Sequence, residues 1–273
     1  LKKDSADGRF LMWKITTKAI QKQPITGTSL GGFPAAYAET QAEYMASGKA
    51  TEQEKLVAGC PEYAFNEYLQ IGLEQGLVGL ALFIGWLGLL FYKGIKNKRY
   101  ACCGGLMSLA IFAFSSYPLQ LPEFWVVLIF LGVMSVTPDK DEIRENQAES
   151  NGHRWGKQIF FMGIAILGIG LFWMQKDHYK AYQQWNKAQM FYNNKAYEAA
   201  LEVYEPLYPL LKHKPEFLFE AAQSLSKTGQ YEKANEYLER AVLLSSDPML
   251  YYVMAKNEQC LGEYRQAEKH LLH

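Results

Sequence analysis

Long uncharged stretches alternate with mixed polar sequence over the first 175 residues of this 273-residue chain. The uncharged stretches are residues 76–92, 101–122, 124–138 and 158–175. A helix that spans a bilayer needs about 20 mostly apolar residues, with about 17 as the lower limit. Two of the four pass comfortably, and the stretch 124–138 passes only if Leu119 and Leu121 lie at the interface. The pattern predicts four transmembrane helices. Buried core helices of a soluble protein are the alternative, but they would leave little polar surface to face water.

Beyond residue 175 the sequence becomes polar, helical and self-similar. The segments NKAYEAALEVY, GQYEKANEYL and GEYRQAEKHL align at spacings of 34 and 33 residues. A period of 34 with an aromatic residue and then a small one is typical of tetratricopeptide helix pairs, in which Ala allows close helix contact and Tyr fills the gap between repeats. Ordinary helical hairpins are the alternative. The aligned positions are Tyr197, Tyr231 and Tyr264, followed by Ala200, Ala234 and Ala267.

These patterns together predict an all-α protein in three parts. Residues 1–70 form a loop outside the cytoplasm, residues 71–175 form four membrane helices, and residues 176–273 form a soluble repeat domain that binds a protein partner. Because the sequence begins with Leu1 inside that loop and ends within the third repeat, we expect it to be a piece of a longer chain.

Charge in the loops predicts the orientation of the membrane helices. Cytoplasmic loops are rich in Lys and Arg. The connection KGIKNKRY at residues 93–100 carries four basic residues and no acid, whereas SSYPLQLPEF at 115–124 carries one acid and no base. The loop 139–157 carries Lys140, Arg144, Arg154 and Lys157, which again indicates the cytoplasmic side. Residues 1–70 and 176–273 therefore share the face opposite the cytoplasm.

Composition adds few candidates for chemistry. The chain carries 28 basic and 28 acidic residues, so its formal net charge is zero. Its four cysteines form no C-x-x-C pair, which argues against a metal site or a disulfide framework. We expect no metal, no cofactor and no nucleic-acid partner.

The start of the chain predicts an amphipathic helix over residues 9–23, ended by Pro24 and suited to a membrane surface. A turn rich in glycine follows in PITGTSLGGF, where Gly27, Gly31 and Gly32 allow tight turning; a simple connector is the alternative. The predicted apolar face of the helix holds Phe10, Trp13 and Ile20, and another face holds Lys14 and Lys18.

Three motifs stand in the order and spacing of a known family. They read GRFLMW at residues 8–13, PITGTSLGGF at 24–33 and AFNEYLQIGLEQGLVGL at 64–80. Together they resemble the large periplasmic loop and following helix of the O-antigen ligase and polymerase superfamily. The matching positions are Gly8, Arg9, Trp13, Pro24, Gly27, Gly31, Phe33, Asn66, Leu69, Glu74, Gly76 and Gly79.

The resemblance implies a glycosyltransferase of the bacterial inner membrane that moves a glycan from an undecaprenyl-pyrophosphate carrier to an acceptor in the periplasm. Such a site must stabilise the negative charge of a lipid diphosphate, and the planar fork of an arginine suits that task. Arg9 is the candidate, with Lys14 or Lys18 assisting. An arginine that snorkels from an interfacial helix is the alternative. Further candidates for substrate binding are Gly27, Gly31, Asn66, Tyr117 and Gln120.

Two positions depart from the family pattern. Ser29 replaces the middle glycine of the second motif, and Phe65 stands where many relatives have a histidine that is proposed to deprotonate the acceptor or contact the donor. Phenylalanine can do neither. Either a carboxylate substitutes, with Glu62, Glu67 and Glu123 as candidates, or this branch needs no such base.

Several residues near the membrane have a second interpretation. Asn66 can bind a sugar hydroxyl or cap the following helix, and capping is the preferred one. Glu123 is the only ionisable residue between two apolar runs, which makes it a functional candidate. The small residues Gly72, Gly76, Gly79 and Gly85 indicate close helix packing rather than catalysis.

Two functions fit this sequence. The first is a membrane glycosyltransferase with a repeat domain that recruits an acceptor or partner. The second is a non-catalytic membrane scaffold that binds envelope proteins through its repeats. Within the first, ligation to lipid A core, polymerisation of repeat units and transfer to protein hydroxyls stay open.

Overall fold

The computed structural model describes residues 2–137 and 154–271, and every regular element within these ranges is helical. The predicted all-α class is confirmed. The chain forms two compact units, Leu1–His153 and Arg154–His273. The connection that carries Lys140 and Arg144 lies outside the described residues, so the second cytoplasmic loop stays a prediction.

Four helices build the head of the first unit. The first ends two residues before Pro24, as predicted. The third begins with a capping box, in which the Thr51 hydroxyl accepts from the Glu54 amide and the Glu54 carboxylate accepts from the Thr51 amide. The four helices are α1 (Lys2–Lys22), α2 (Phe33–Ala46), α3 (Glu52–Val57) and α4 (Glu67–Glu74).

Helix α1 buries a face other than the apolar face predicted for a membrane surface. Leu11, Ile15 and Ala19 are at most 2% exposed and pack in one core with Phe33 of α2, whereas Phe10 is 64% exposed. Successive residues of an α-helix point about 100° apart, so a stripe displaced by one position selects a different side of the helix. Helix α1 is therefore a packed element of the head, and contact of its exposed Phe10 side with a membrane surface stays a prediction.

Three apolar helices follow the head in the same unit. Among the described helices of the first unit, only α5 (Gly76–Lys96) has both the length and the apolar composition to cross a membrane. Helices α6 and α7 have 16 and 15 residues, hence lengths of about 24 and 22 Å against a hydrocarbon core of about 30 Å. The helices are α5 (Gly76–Lys96), α6 (Tyr100–Ser115) and α7 (Pro122–Val136), with a 3-10 turn at Pro118–Gln120 before α7.

Apolar side chains of these helices point outwards. Only 17% of the apolar 18-residue stretch within α5 is buried. Leu82 of α5 and Val126 of α7 are 71% and 69% exposed. A core helix of a soluble protein would bury most of its apolar surface. The exposed surface therefore favours a lipid environment over the alternative of a soluble core.

Glycines set the packing of these helices in part as predicted. A Cβ added to Gly72 would lie 3.3 Å from the Ile20 side chain of α1, and one added to Gly76 would collide with the backbone of Ile25. At Gly85 an added Cβ would meet no described atom within 4 Å, so close packing is not seen there. Between the apolar helices, Gly105 packs against Leu131 in the same close manner.

The second unit begins with one long helix of 40 residues, hence about 60 Å. It runs unbroken across residue 175, where the sequence predicted a change from membrane to soluble parts. Five shorter helices follow it as antiparallel neighbours. The helices are α8 (Arg154–Asn193), α9 (Tyr197–Leu211), α10 (Pro215–Lys227), α11 (Tyr231–Val242), α12 (Met249–Leu261) and α13 (Tyr264–Leu271).

The aligned positions of the repeat recur in the structure. Ala200, Ala234 and Ala267 are at most 2% exposed, which confirms the predicted close contact. The residues before the second helix of each pair, Lys195, Gly229 and Gly262, all have positive φ. The aligned tyrosines each begin such a helix, but Tyr264 is 71% exposed and fills no gap between the described helices.

Candidate functional site

Three segments of the first unit meet where α6 ends. Arg9 of α1 donates from Nη1 to the carbonyl oxygen of Ser115 at 3.1 Å, across 106 positions of sequence. Trp13, one turn later, donates from Nε1 to the carbonyl of Ala64 at 3.1 Å, and its ring lies 5.6 Å from that of Phe114. The first and third family motifs are thereby joined to the connection between α6 and α7.

Phe65 occupies the centre of this junction. The Arg9 guanidinium carbon lies 5.3 Å from the Phe65 ring centroid, which is cation–π distance. The Phe65 ring also contacts Tyr117 edge to face at 4.8 Å, and Tyr117 stacks on Tyr63 at 5.3 Å. The backbone of Phe65 has φ +50°, a left-handed conformation that histidine and asparagine adopt more readily than phenylalanine. At the position where many relatives have a histidine, Phe65 thus contacts Arg9 and Tyr117 instead.

A cleft of about 350 Å³ opens beside Arg9. Its volume lies within the range of ligand pockets, and no carboxylate lines it. Burial raises the pKa of the Tyr37 hydroxyl well above its ordinary value, so that wall stays neutral. No carboxylate among the described side chains forms an ion pair with Arg9. The lining includes Gly8, Arg9, Tyr37, Cys60 and Phe65.

The glycine turn after α1 packs backbone to backbone against the break between α4 and α5. A Cβ added to Gly27 would lie 2.5 Å from the carbonyl of Glu74, and one added to Gly76 would lie 2.0 Å from the carbonyl of Ile25. The amide of Leu77 donates to the Pro24 carbonyl at 2.8 Å. No substrate fits between surfaces this close, so Gly27 acts as a packing residue in this structure.

Glu74 extends this contact to the loop that holds Phe65. Its carboxylate accepts from Nε2 of Gln70 at 2.7 Å and from the amides of Gly31 and Phe33 at the start of α2. Gln70 in turn accepts from the Ala64 amide at 2.8 Å. Burial raises the pKa of Glu74, and these hydrogen bonds oppose that shift. Sequence reasoning named Glu74 only as a motif match, and the structure shows it connecting the second and third motifs.

Family comparisons agree with the two halves of this description. Residues 1–84 match the family model described as O-Antigen ligase. The resemblance predicted from the head motifs is confirmed. Residues 193–273 match the model described as Anaphase-promoting complex, cyclosome, subunit 3, which supports helical repeats of tetratricopeptide type in the tail. A comparison with curated proteins finds no match.

The O-antigen ligase match implies a membrane protein, in agreement with the exposed apolar faces of α5 to α7. In the head, Phe65 contacts both Arg9 and Tyr117, but Tyr117 does not line the cleft, so the predicted pocket built from both outer connections stays a prediction. The other predicted site residues do not line the cleft.

Glu67 holds the turn before α7. Its side chain is 1% exposed, with Oε1 accepting from the Leu119 amide at 2.6 Å and Oε2 accepting from Nε2 of Gln120 at 3.2 Å. Burial raises the pKa of Glu67, while the two hydrogen bonds oppose that change. Both Glu67 and Gln120 therefore position the turn that carries Tyr117, and neither lines the cleft.

Glu62 and Glu123 are exposed and do not line the cleft either. Glu62 follows Pro61, which does line it, whereas Glu123 lies in the first turn of α7. Of the predicted carboxylates, Glu62 is therefore adjacent in sequence to the cleft and open to solvent.

The two lysines of α1 converge on α2 and not on Arg9. Nζ of Lys14 donates to the Tyr44 hydroxyl at 2.6 Å and to Oε1 of Glu54 at 2.7 Å, and Nζ of Lys18 lies 5.4 Å from the Tyr44 ring centroid. The Lys14 ammonium lowers the pKa of Glu54 to about 2, and Glu54 raises that of Lys14. The predicted assistance of Arg9 by these lysines is not seen in this arrangement.

Asn66 caps α4. Its Oδ1 accepts from the amides of Tyr68 and Leu69, each at 3.1 Å, and the side chain is 4% exposed. The preferred interpretation of Asn66 is confirmed. Gly31 has φ +76° and its amide binds Glu74, so its role in this structure is to form the turn. Among the described residues, no group of three or more His, Cys, Asp or Glu could hold a metal ion.

Proposed function

We propose that this chain is a membrane glycosyltransferase of the O-antigen ligase type. It transfers a glycan from an undecaprenyl-pyrophosphate carrier to an acceptor at the periplasmic face of the bacterial inner membrane. The observation that carries the proposal is the position of Arg9. A family motif residue stands at a cleft of about 350 Å³, joined to the end of an apolar helix through Ser115.

Arg9 would hold the diphosphate of the donor. A guanidinium has five N–H donors in a planar fork, of which Ser115 takes one in the described structure. The carrier lipid would lie along the exposed apolar helices, which places its diphosphate at their ends and near Arg9. As the acceptor oxygen attacks the sugar, the bond to the diphosphate breaks, and the cation stabilises the negative charge that develops there.

The acceptor proton needs a base, and Phe65 supplies none. Glu62 is the best-supported substitute, because it is exposed and next to a cleft-lining residue. Glu123 stays a candidate of the same kind at the start of α7. Glu67 has a raised pKa but binds the turn at Leu119 and Gln120, which favours a positioning role.

The orientation in the membrane belongs to the same proposal. Four membrane helices would leave residues 1–70 and 176–273 in the periplasm, supported by the basic connection 93–99 and the exposed apolar faces. Cysteines introduced at Ala42 and Ser226 should then react with an impermeant thiol reagent in spheroplasts. Labelling of either cysteine only after the membrane is opened would contradict this orientation.

The transfer step is tested with purified chain and lipid-linked glycan. Arg9→Ala should lower the rate of transfer by about 100-fold or more, the usual effect of removing one charge-stabilising donor. The rate of Arg9→Lys should lie between those of the unmodified chain and Arg9→Ala. Lys49→Ala, an exposed cation of the head outside the cleft, is the matched control. Transfer unaffected by Arg9→Ala would remove this residue from the mechanism.

A scaffold without catalysis is the second candidate, and one observation favours it. Phe65 packs against both Arg9 and Tyr117, so the family base is replaced by an apolar contact. In that case the repeats would bind envelope proteins and the head would anchor them. No transfer to any acceptor, together with retained protein binding by the tail, would support the scaffold over the enzyme.

A further inference from the structure

A groove of about 400 Å³ lies between α10 and α12 in the second unit. Helix α12 faces it with one stripe at helical spacing that starts at Met249 and ends at Cys260, and α10 faces it with the last turn before Lys227. The polar lining includes Gln223, Ser226, Lys227, Tyr252, Lys256 and Asn257.

The groove carries positive charge from both walls. Lys227 at the end of α10 and Lys256 of α12 are both exposed, and no carboxylate belongs to the lining. Among the described residues neither lysine forms an ion pair. The Gln223 and Asn257 amides are engaged within the unit, since Oε1 of Gln223 accepts from the Tyr192 hydroxyl and Nδ2 of Asn257 donates to Asn235. Met249 and Tyr252, which are 46% and 51% exposed, supply apolar surface.

Two acids on the same two helices, Glu220 and Glu258, are engaged elsewhere. Glu220 of α10 accepts from Nε1 of Trp185 at 2.7 Å and from Nε2 of Gln189 at 2.8 Å, both on α8. Glu258 of α12 is 2% exposed and lies 2.9 Å from Nδ1 of His270. The charge of the two groove lysines is therefore not balanced by these neighbours.

We propose that the α10–α12 groove binds an acidic, extended polypeptide segment. Lysines on the two walls would pair with its carboxylates, and the exposed Met249 and Tyr252 would contact its apolar side chains. A phosphate or a glycan would use the charge but leave that apolar surface uncovered. The inference rests on the protein-binding part of the proposed function and names the chemistry of the partner.

Selection from a random peptide library tests the proposal directly. The full chain in lipid nanodiscs is immobilised and exposed to displayed random peptides of about ten residues, which span about 33 Å when extended and so reach past the groove at both ends. Asp and Glu should be enriched about two- to five-fold over the starting library, as expected for partly exposed ion pairs. Lys227→Glu with Lys256→Glu should abolish that enrichment and favour basic peptides.

The matched control changes the same charge away from the groove. Lys187→Glu with Lys269→Glu replaces two exposed lysines of α8 and α13 that do not line it, so the acidic preference should persist. Helical circular dichroism checks that each variant is folded, and Lys227→Gln with Lys256→Gln gives a milder change if the reversal unfolds the unit.

Three results would overturn the proposal. They are the absence of acid enrichment with the unmodified chain, enrichment that survives the Lys227 and Lys256 changes, and binding of hyaluronan, an anionic glycan, in place of any peptide. Selection uses neither donor nor acceptor, so its failure leaves glycan transfer by the head untouched. Loss of transfer in Arg9→Ala likewise leaves the groove untouched.

Discussion

The head (α1 to α4) and the tail (the repeats of residues 193–271) are both helical, but different kinds of contact stabilise each part. In the tail, buried alanines such as Ala200 and Ala234 let each helix contact its neighbour in sequence. In the head, the decisive contacts join distant segments, as in the bond from Arg9 to Ser115 across 106 positions. The tail therefore repeats one packing contact between neighbouring helices, whereas the head depends on a few contacts between segments that are distant in sequence.

That difference separates two kinds of motif residue. The regular positions of the tail fix the spacing of its helices and do not line the groove, apart from Tyr231. In the head, Gly27, Glu74 and Gly76 are engaged in the contact between the glycine turn and the α4–α5 break, and only Arg9 of the matching residues named as candidates reaches the cleft. Most of these motif residues thus form the contact between the glycine turn and the α4–α5 break. We call this contact the frame, and it positions Arg9.

Breaking the frame should have the largest effect and should spare the tail. Gly76→Val places a Cβ 2.0 Å from the Ile25 carbonyl at a residue with φ +69°, so we expect loss of the native head, a cost above about 4 kcal/mol. Limited proteolysis should then cleave the head while residues 193–271 stay protected.

Gly85→Ala is the matched control, because an added Cβ there meets no described atom within 4 Å. Helix α5 should tolerate it or gain slightly, since alanine favours a helix. Equal proteolysis of the two variants would mean that the turn does not hold the head.

Sequence predicted the ingredients of this frame but not their assembly. The end of α1 before Pro24, the cap by Asn66 and the close packing at Gly72 depend on neighbours in sequence or on residue size, and all three are confirmed. The convergence of Lys14 and Lys18 on Tyr44 depends on how α2 packs against α1, which no local pattern encodes.

The cleft was predictable to the same degree. The motifs identified Arg9 and the unusual Phe65, and the loop charges predicted that Tyr117 lies on the same side of the membrane. The contact of Phe65 with both of them follows from a left-handed backbone and a turn held by Glu67, which are tertiary features.

Restoring the family base should change activity without disturbing the frame. Phe65→His suits the left-handed backbone and places an imidazole beside Arg9 and Tyr117. If proton removal limits transfer, the rate should rise by about 10-fold or more, with a new dependence on pH near about 6.5.

Phe65→Leu is the control, since it changes the ring without supplying a base. The comparison is made with lipid-linked glycan over a pH series. A rate for the histidine variant no higher than for the leucine variant would show that this branch does not use a base at that position.

Removing the carboxylate that holds the α6–α7 turn should have an intermediate effect. Glu67→Ala deletes a buried acceptor of two hydrogen bonds and leaves the Leu119 amide without its partner, at a cost of about 2–3 kcal/mol. Thermal unfolding in detergent should show a lower midpoint. Glu123→Ala, an exposed acid of the same region, should stay within about 0.5 kcal/mol of the unmodified chain, and equal losses in both would contradict a positioning role for Glu67.

The smallest effect belongs to the ion pair between α1 and α3. The folded pKa of Glu54 is about 2 against an ordinary 4.5, so its contribution is present above about pH 4.5 and is lost as the pH falls towards 2. Because Lys14 is 44% exposed, the loss should be at most about 1 kcal/mol and should shrink at high salt.

Glu54→Gln keeps an acceptor for the Thr51 amide but no charge, so its unfolding midpoint should fall less between pH 7 and pH 3. Glu52→Gln removes a charge from the same helix at a side chain that is 86% exposed, and it should keep the acid sensitivity. If Glu54→Gln were as acid-sensitive as the unmodified chain, the pair with Lys14 would add nothing to the stability of the head, which would then depend on the buried core around Ile15 and Phe33 and on the glycine turn.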